Sequence, residues 1–381
     1  MLQGVAPLAF GEFEVEGRAI PRHCRHMADT HSRTTSCYLH GLATAVPPYE
    51  LDQSVVEARA AKILGPRFPA FQRMRKTFGT AGVEMRYSAA PLEWFEGDTD
   101  WADRNTRYLE AATALFIETA QGALQDAGWQ GADIDIVVTV SSTGIATPTL
   151  EARAKAEVGL RDDVLRVPVF GLGCAGGVSG MSIARELSVA HPGARVLLVV
   201  VETCSLSFQS DTPRKADIIA TVLFGDGAAA ACLSTDPSSI EVGRGHTKTW
   251  PDTLPIMGWD VGNSGLGVVF DRSIPDFTTA EFRGALDAAL DASGLSLTDL
   301  DRLVCHPGGA KVVDAIEASC ELPPGTLDHE RETLRHYGNM SAPTVLFVLK
   351  RALDAGQTGQ LLTCALGPGF SAAFQPVRVS A

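Results

Sequence analysis

The sequence predicts an α/β protein made of two similar halves, chiefly because it contains an internal repeat. Residues 123–140 align without gaps over residues 289–306, at an offset of 166. Both segments have the pattern of a helix end, a glycine stop, a short acidic loop and a buried strand. Further along, Cys174 falls over Asn339 at an offset of 165. Two such halves, packed about a pseudo-twofold axis, bring equivalent loops together near the axis, and α/β sheets bind ligands at strand ends.

The turn-rich stretch at residues 236–239 is the natural boundary between the halves. We therefore predict an N-terminal half over 37–236 and a C-terminal half over 237–381. Residues 1–36 show no periodicity and are expected to form a flexible polar extension. Histidines and cysteines between positions 23 and 40 fit no zinc-ligand spacing, so we predict no metal site.

Composition narrows the functional classes. The 381 residues are 45% hydrophobic and 20% charged, enough for a large core, and the net charge of -13 argues against nucleic-acid binding. No apolar run is long enough to span a bilayer, so no transmembrane segment is predicted. With no secretory leader and eight scattered cysteines, we expect a cytoplasmic protein with reduced thiols.

A cysteine in a glycine-rich turn is the first candidate for catalysis. Cys174 lies in 171–177 (GLGCAGG), between a strand at 165–170 and a helix reaching about Ala190. Unpaired N–H groups and the dipole at a helix N-terminus favour thiolate over thiol. Taken alone, such a cysteine is as well explained as a small core residue.

Two further residues join Cys174 through the repeat. His306 ends the strand-like 302–305 just before Pro307, and Asn339 precedes a helix beginning near Ala342. A core histidine and a helix N-cap are the alternative explanations for these two residues. In the repeat, Asn339 is equivalent to Cys174, and His306 lies at the end of the repeated strand. We therefore expect the three side chains to converge.

The motifs GLGCAGGVSG, TVLFGDGAAA, VCHPGGAKVVDAIE, HYGNMSAPTVLFVL and LGPGFS, in this order, resemble the type III polyketide synthases over roughly residues 36–378. The resemblance implies the thiolase fold, with duplicated αβαβα halves, a homodimer, and a catalytic triad of Cys174, His306 and Asn339. It also implies that Phe224 lines the junction between entry tunnel and reaction cavity.

The implied reaction needs no metal or redox cofactor, because the CoA thioesters are the substrates. We expect His306 to hold Cys174 as a thiolate, which takes an acyl group from acyl-CoA. Malonyl-CoA then loses carbon dioxide, and His306 and Asn339 stabilise the enolate that attacks the acyl-cysteine. Such an enzyme is an acyltransferase.

The resemblance also implies a set of cavity residues. The CoA-binding candidates rest instead on charge, because an acidic protein needs local basic residues to bind an anionic ligand. The substrate cavity is assigned to Thr143, Thr147, Cys204, Ser207, Phe224, Gly367, Pro368 and Gly369, and the CoA phosphates to Lys311, Arg73 and Arg75.

The side chains of Thr143, Thr147, Cys204 and Ser207 are all small or medium, which leaves room for a long acyl tunnel. Together with the segment MGWDVGNSGLGVVF at 257–270, this set resembles bacterial alkylpyrone and alkylresorcinol synthases. We therefore predict a medium to long fatty acyl-CoA starter, extended two or three times by malonyl-CoA. Two alternatives stay open: a ketoacyl synthase III that condenses once, and a non-catalytic acyl-CoA-binding dimer. A departure from the family pattern at 365–369 (ALGPG) is expected to change cavity shape rather than catalysis.

Overall fold

The computed structural model describes residues 35–97, 99–208 and 213–380. Almost all of the extension predicted at 1–36, with its histidines, lies outside these residues. The strands are β1 Cys37–Ala45, β2 Tyr49–Asp52, β3 Met85–Ser88, β4 Ile136–Val140, β5 Leu165–Val169, β6 Val196–Thr203, β7 Asp226–Ser234, β8 Ile240–Val242, β9 His246–Thr249, β10 Met257–Gly262, β11 Gly265–Phe270, β12 Arg302–Cys305, β13 Gly359–Gly367 and β14 Ser371–Val379. The helices are α1 Gln53–Leu64, α2 Phe71–Met74, α3 Lys76–Thr80, α4 Trp101–Ala127, α5 Leu150–Arg153, α6 Lys155–Val158, α7 Gly176–Ala190, α8 Lys215–Leu223, α9 Ile274–Ala292, α10 Ala310–Ser319, α11 Asp328–Tyr337 and α12 Thr344–Asp354.

One sheet of ten strands runs through the molecule in the order β12-β13-β14-β8-β1-β7-β6-β4-β5, with β9 paired to β14. Its two ends have the same pattern. Strand β4 pairs in parallel with β6, which pairs antiparallel with β7, and β12, β13 and β14 repeat that arrangement. The predicted boundary at 236–237 lies in the bend between β7 and β8.

Helices α7 and α12 form a central layer between the two halves of the sheet. Their apolar side chains share one core cluster with β4, β6 and β13, and these residues are almost fully buried. Helix α4 covers the outer face of the N-terminal half, while α9 and α10 cover that of the C-terminal half. The result is the αβαβα layering of the predicted thiolase fold.

The internal repeat corresponds to repeated structure, and the fold prediction is confirmed. Helices α4 and α9 end at Gly128 and Gly294, each in the left-handed region with φ of 68°. Each glycine is followed by a 3-10 turn, at 131–133 and at 297–299, and then by a strand. Glycine is suited to both helix ends because it adopts positive φ without a Cβ clash.

Two further observations concern the described part of the chain. None of its helices is long and apolar enough to cross a membrane. Among the same residues, no three His, Cys, Asp or Glu side chains come together in a way that could hold a metal ion.

Candidate active site

Cys174 lies in a 3-10 turn, Gly173–Ala175, that leads directly into α7. Its side chain is buried, at 6% exposure. The turn has no room for larger residues: a Cβ at Gly173 would lie 2.7 Å from Cδ of Pro368, and one at Gly177 would lie 2.2 Å from the carbonyl of Ala342. The glycines therefore let the start of α7 pack closely against both neighbouring loops.

His306 follows β12, and its backbone N–H donates to the carbonyl of Cys364 at 2.8 Å. Asn339 is fully buried. Its Nδ2 donates to the carbonyl of Gly308 at 3.1 Å, and its Oδ1 accepts from the N–H of Ser341 at 2.8 Å. These two hydrogen bonds fix which way the Asn339 amide faces. Helix capping does not explain this residue, since α12 begins five positions later and its N-cap is Pro343.

The three side chains meet in one cavity, which we call the triad cavity. Cys174 comes from the turn before α7, His306 follows β12, and Asn339 lies in the loop before α12. The loop after β6 does not line this cavity. The full lining is Cys174, Met257, Phe270, Ile274, His306, Gly308, Val312, Asn339 and Leu366. The structure therefore places the nucleophile candidate, the base candidate and the amide together, as the repeat predicts.

Burial dominates the electrostatics of the triad cavity. It raises the pKa of the Cys174 thiol to about 11, against hydrogen bonding from Ser341 and Asn339, which lowers it. It lowers the pKa of His306 to about 3, and neither ring nitrogen has a hydrogen-bond partner among the described residues. The neutral thiol and neutral imidazole are therefore favoured here. Burial thus opposes the thiolate–imidazolium pair expected from the sequence, and that pair stays a prediction.

A second cavity, the chamber, adjoins the triad cavity and shares Cys174, Met257 and Phe270 with it. The β10–β11 hairpin forms much of its wall. Its lining is Ser142, Gly173, Cys174, Phe224, Met257, Gly258, Trp259, Val268, Val269, Phe270, Ser341 and Pro368. Trp259 and Ser341 were not among the predicted site residues. The segment that contains Trp259 was used only as part of the family resemblance.

A third cavity, the channel, meets the chamber at Phe224. Predicted residues Cys204 and Ser207 also line it. The remaining lining is mostly apolar: Leu51, Val56, Arg59, Ala60, Ile63, Arg86, Ser88, Leu92, Phe95, Ser205, Phe208, Ala220 and Thr221. Phe224 therefore lies at a junction between two cavities, as the resemblance implies.

Two predicted cavity residues line none of these three cavities. Thr143 is buried, but its hydroxyl donates to Glu202 and accepts from the N–H of Thr203, so it is part of the protein framework. Thr147 is exposed on the turn before α5. Both were assigned by motif position, and the hydrogen bonding and turn geometry direct them elsewhere.

The predicted GPG turn contributes in two ways. Pro368 lines the chamber. Gly367 lies against the cysteine turn, where a Cβ would come within 2.7 Å of the backbone nitrogen of Ala175. Gly369 has φ of 123°, a conformation that suits glycine. Gly367 and Gly369 therefore shape the wall by backbone conformation rather than by side-chain contact.

Two buried carboxyl groups lie behind the chamber, and both escaped the sequence analysis. Glu202 accepts hydrogen bonds from the N–H of Ser142 at 2.9 Å and from the hydroxyl of Thr143 at 2.7 Å. Burial raises its pKa to about 8. Asp226 accepts from the backbone of Ser205, and burial raises its pKa to about 6. An acid at the end of an apolar strand, as in VVVET at 199–203, is the sequence signal for such a group.

The three predicted CoA-binding cations differ in their surroundings. Lys311 is exposed at the start of α10, close to Gly308 and Val312 of the triad cavity. Arg73 is exposed on α2, while the Nε of Arg75 is paired with Glu57 at 2.8 Å. Among the described residues no ion pair is formed by Lys311 or Arg73. Arg75 is therefore less available for a phosphate than the other two.

Lys76 replaces Arg75 as a candidate because it too is exposed beside Arg73. The end of α3 approaches the start of α10: a Cβ at Gly82 would lie 3.3 Å from Cβ of Ala310. The segment after α3 therefore packs beside the start of α10, where Lys311 lies.

Comparisons with known proteins agree with this architecture. Models for the N-terminal and C-terminal domains of chalcone and stilbene synthases match residues 88–237 and 245–376. A 1,3,6,8-tetrahydroxynaphthalene synthase from Streptomyces peucetius subsp. caesius is 38% identical over 348 residues, covering 88% of this chain and 91% of that protein. Type III polyketide synthase A of Arabidopsis thaliana is 32% identical over 318 residues, covering 77% and 80%.

Solved structures give the same result. The crystal structure of a 1,3,6,8-tetrahydroxynaphthalene synthase from Streptomyces coelicolor A3(2), a bacterial type III polyketide synthase, aligns with a TM-score of 0.86 and 27% identity. The alignment covers 90% of this chain and 99% of that one.

Proposed function

Because this chain belongs to the chalcone and stilbene synthase family of type III polyketide synthases, we propose that it extends a medium to long fatty acyl-CoA starter. Two or three malonyl-CoA units are added, and the product is cyclised to an alkylpyrone or an alkylresorcinol. Family membership makes the chain an acyltransferase that uses acyl-CoA and malonyl-CoA, with no cofactor beyond these CoA thioesters. The starter and the product are the parts that we propose.

The channel is the observation that supports a fatty starter. It adjoins the chamber at Phe224, and most of its lining is aliphatic or aromatic, including Leu51, Val56 and Ile63. Burying a methylene group contributes about 0.8 kcal/mol, which corresponds to roughly fourfold in affinity. An alkyl chain in the channel would therefore bind more tightly with each added carbon until the channel is filled.

The chemistry starts with transfer of the Cys174 proton to His306. The sulfur attacks the starter thioester carbonyl, and the CoA sulfur leaves with the proton from His306. Charge on the carbonyl oxygen is stabilised by backbone N–H groups at the start of α7.

Extension needs a carbanion equivalent. Malonyl-CoA breaks its bond to the carboxylate, releases carbon dioxide, and leaves an enolate whose oxygen accepts hydrogen bonds from His306 and the Asn339 amide. The enolate carbon forms a bond to the acyl carbonyl carbon, and the bond from that carbon to the Cys174 sulfur breaks. The chain is then a β-ketoacyl-CoA that can return to Cys174 for another round.

CoA binding is proposed at Lys311, which precedes Val312 of the triad cavity, and at exposed cations of α2 and α3. Lys311, Arg73 and Lys76 are exposed on a chain whose net charge is -13, so they provide local positive charge for phosphates. Arg75 contributes less because Glu57 already neutralises it.

A homodimer is proposed through the free edge of β5. This strand pairs only with β4 among the described residues, and apolar groups beside it are exposed: Leu165 at 47%, Phe170 at 60% and Ile145 at 54%. An exposed apolar edge strand is a template for pairing with a second copy. Light scattering should give twice the chain mass, and a monomer at micromolar concentration would contradict this.

A second candidate product is tetrahydroxynaphthalene, because the Streptomyces relatives named above carry that activity in their names. Such a product carries no alkyl chain, so it leaves the channel without a ligand. The two candidates give different results with one assay.

The assay incubates the purified full chain with malonyl-CoA and a ladder of C6 to C18 acyl-CoA esters, followed by mass spectrometry. Cyclised products that retain the alkyl chain support the proposal. Tetrahydroxynaphthalene from malonyl-CoA alone, with no alkylated product, selects the second candidate. A linear product of one condensation would indicate a ketoacyl synthase III-like reaction.

A further inference from the structure

Strand β12, which leads to His306, lies at one end of the sheet. In the N-terminal half the equivalent strand β4 is covered by β5, whereas no strand of the described residues pairs with the outer edge of β12. Backbone N–H groups on that edge need other partners, because a buried N–H without a hydrogen bond is costly. One of these groups belongs to Cys305, which is fully buried and directly precedes His306.

Glu330 is the partner of this N–H group. Its Oε1 accepts the hydrogen bond from Cys305 at 2.9 Å, and its Oε2 accepts one from the Arg302 guanidinium at 3.2 Å. The next N–H along the chain, that of His306, donates instead to the carbonyl of Cys364 on β13. Two consecutive N–H groups leading into the His306 side chain are thus held by two different elements, α11 and β13.

The place of Glu330 in the chain adds a second consequence. Glu330 lies on α11 (Asp328–Tyr337), and Asn339 follows the end of this helix by two residues. The carboxylate therefore joins the helix that leads to Asn339 to the strand that leads to His306. The hydrogen bond from Nδ2 of Asn339 to the carbonyl of Gly308 links the same two segments on the other side of His306.

A buried carboxylate is a costly partner for a single N–H group. Glu330 is 0% exposed, and burial raises its pKa to about 7, against the opposing effect of Arg302. Buried ion pairs contribute little to stability, because desolvation offsets their attraction, and apolar side chains of similar volume often replace them without loss. The bond to the peptide before His306 therefore points to a role in the geometry of the site.

We propose that Glu330 is a positioning residue, which holds the Cys305 peptide and thereby sets the place of His306 relative to Asn339. This inference rests on the proposed function, in which these two side chains stabilise the enolate formed from malonyl-CoA. Glu330 lines none of the three cavities, so its effect passes through the backbone. A shift of about 1 Å in a catalytic group can lower the rate roughly a hundredfold.

Two double variants separate the hydrogen bond from the ion pair. Arg302→Met with Glu330→Leu removes both charges and the acceptor. Arg302→Met with Glu330→Gln removes both charges but keeps an amide oxygen that can accept the Cys305 N–H. Neither variant leaves a buried charge behind, since Asp328, the other partner of Arg302, is exposed.

The readout is the decarboxylation of malonyl-CoA to acetyl-CoA without an acyl starter, which needs the enolate but no alkyl substrate. We expect the leucine variant to lose roughly tenfold to a hundredfold in kcat, with little change in the KM for malonyl-CoA. The glutamine variant should keep most of the original kcat. Urea unfolding of both variants shows whether their stability is comparable.

Glu317 provides a matched control because it makes the same kind of contacts away from β12. This buried carboxylate accepts the N–H of Leu327 at 2.9 Å and pairs with Arg331 at 2.6 Å. Arg331→Met with Glu317→Leu should lower the free energy of unfolding and leave kcat for decarboxylation unchanged.

Equal kcat values in the leucine and glutamine variants would overturn the proposal, whether both are normal or both are impaired. If the leucine variant does not fold, as judged by circular dichroism, Glu330→Asp tests the same hydrogen bond with a carboxylate one methylene shorter, and an unchanged kcat would then overturn it. An unsubstituted protein that does not decarboxylate malonyl-CoA would contradict the proposed chemistry and this inference with it. A protein that decarboxylates malonyl-CoA but makes no alkylated product would contradict only the proposed starter.

Discussion

The indole Nε1 of Trp259 donates a hydrogen bond of 2.8 Å to the backbone carbonyl of Ser142. Ser142 in turn receives the N–H of Gly171 on its hydroxyl, at 3.0 Å, and donates its own N–H to Glu202. One serine thus connects the β10–β11 hairpin, the loop before Cys174 and a buried carboxyl group. Trp259 also packs against the cluster of Cys204, Ala220, Phe224 and Val268, which separates chamber from channel.

The first prediction concerns Trp259. Trp259→Ala removes a side chain that lines the chamber and packs against the residues between chamber and channel, and we expect the preference among acyl-CoA starters of different length to change by about tenfold in kcat/KM. Trp259→Phe keeps a large apolar ring without the hydrogen bond and should retain most of the original preference. Steady-state kinetics across C6 to C18 starters measure both. An unchanged profile in Trp259→Ala would show that the indole does not limit the cavity.

The second prediction tests the channel as the alkyl site. Ala60 is buried on α1 and lines the channel, so Ala60→Phe should fill part of it. We expect C14 to C18 starters to lose at least tenfold in kcat/KM, while C6 is much less affected. Ala58→Phe places the same ring on the exposed side of α1 and is the matched control. Equal losses for short and long starters in Ala60→Phe would point to general overpacking rather than to a blocked channel.

The third prediction concerns CoA binding. Lys311→Ala and Arg73→Ala should each raise the KM for malonyl-CoA by roughly fivefold to tenfold with little change in kcat, because a phosphate contact is lost. The effect should shrink as salt is added. Arg75→Ala should change KM less, since Glu57 already pairs with this arginine. A larger defect in Arg75→Ala than in Lys311→Ala would reverse this assignment.

The fourth prediction follows from Glu202. Burial raises its pKa from 4.5 to about 8, so between these values the unfolded chain releases this proton while the folded chain keeps it. Stability should therefore fall as pH rises through this window, by up to about 1.4 kcal/mol per pH unit from this one group. Glu202→Gln cannot titrate and should flatten the dependence.

Urea unfolding at pH 5, 6, 7 and 8 measures this effect as the difference between the two proteins. Taking the difference matters because Asp226 and Glu330 also have pKa values raised by burial, and they titrate in both proteins. Parallel pH profiles for the unsubstituted protein and Glu202→Gln would show that Glu202 does not titrate in this range.

The duplicated fold was predictable because the sequence repeats the residues that end its helices and form the turns after them. Gly128 and Gly294 end equivalent helices, and an acidic turn follows each of them at the same spacing. Local backbone preferences determine both the helix ends and the turns. The meeting of Cys174, His306 and Asn339 followed from the same repeat. Local pattern was sufficient for these features because equivalent loops of two similar halves meet at the axis.

The chamber was less predictable because its wall comes from tertiary contacts. Trp259 belongs to a short hairpin, and its role depends on a carbonyl more than one hundred residues away in the chain. Thr143 was misassigned as a cavity residue because Glu202 binds its hydroxyl. The desolvation that opposes charge on Cys174 and His306 was also not predictable, since its strength depends on burial that the sequence does not reveal.

The most direct test of a fatty acyl polyketide synthase that works through Cys174 is mass spectrometry of the protein after exposure to one long-chain acyl-CoA, followed by malonyl-CoA. We predict that the peptide containing Cys174 gains the mass of the acyl group, that Cys174→Ala gains none, and that malonyl-CoA then releases the chain as a cyclised alkyl product. An unmodified Cys174 peptide, together with products that contain only malonyl-derived carbon, would contradict the account.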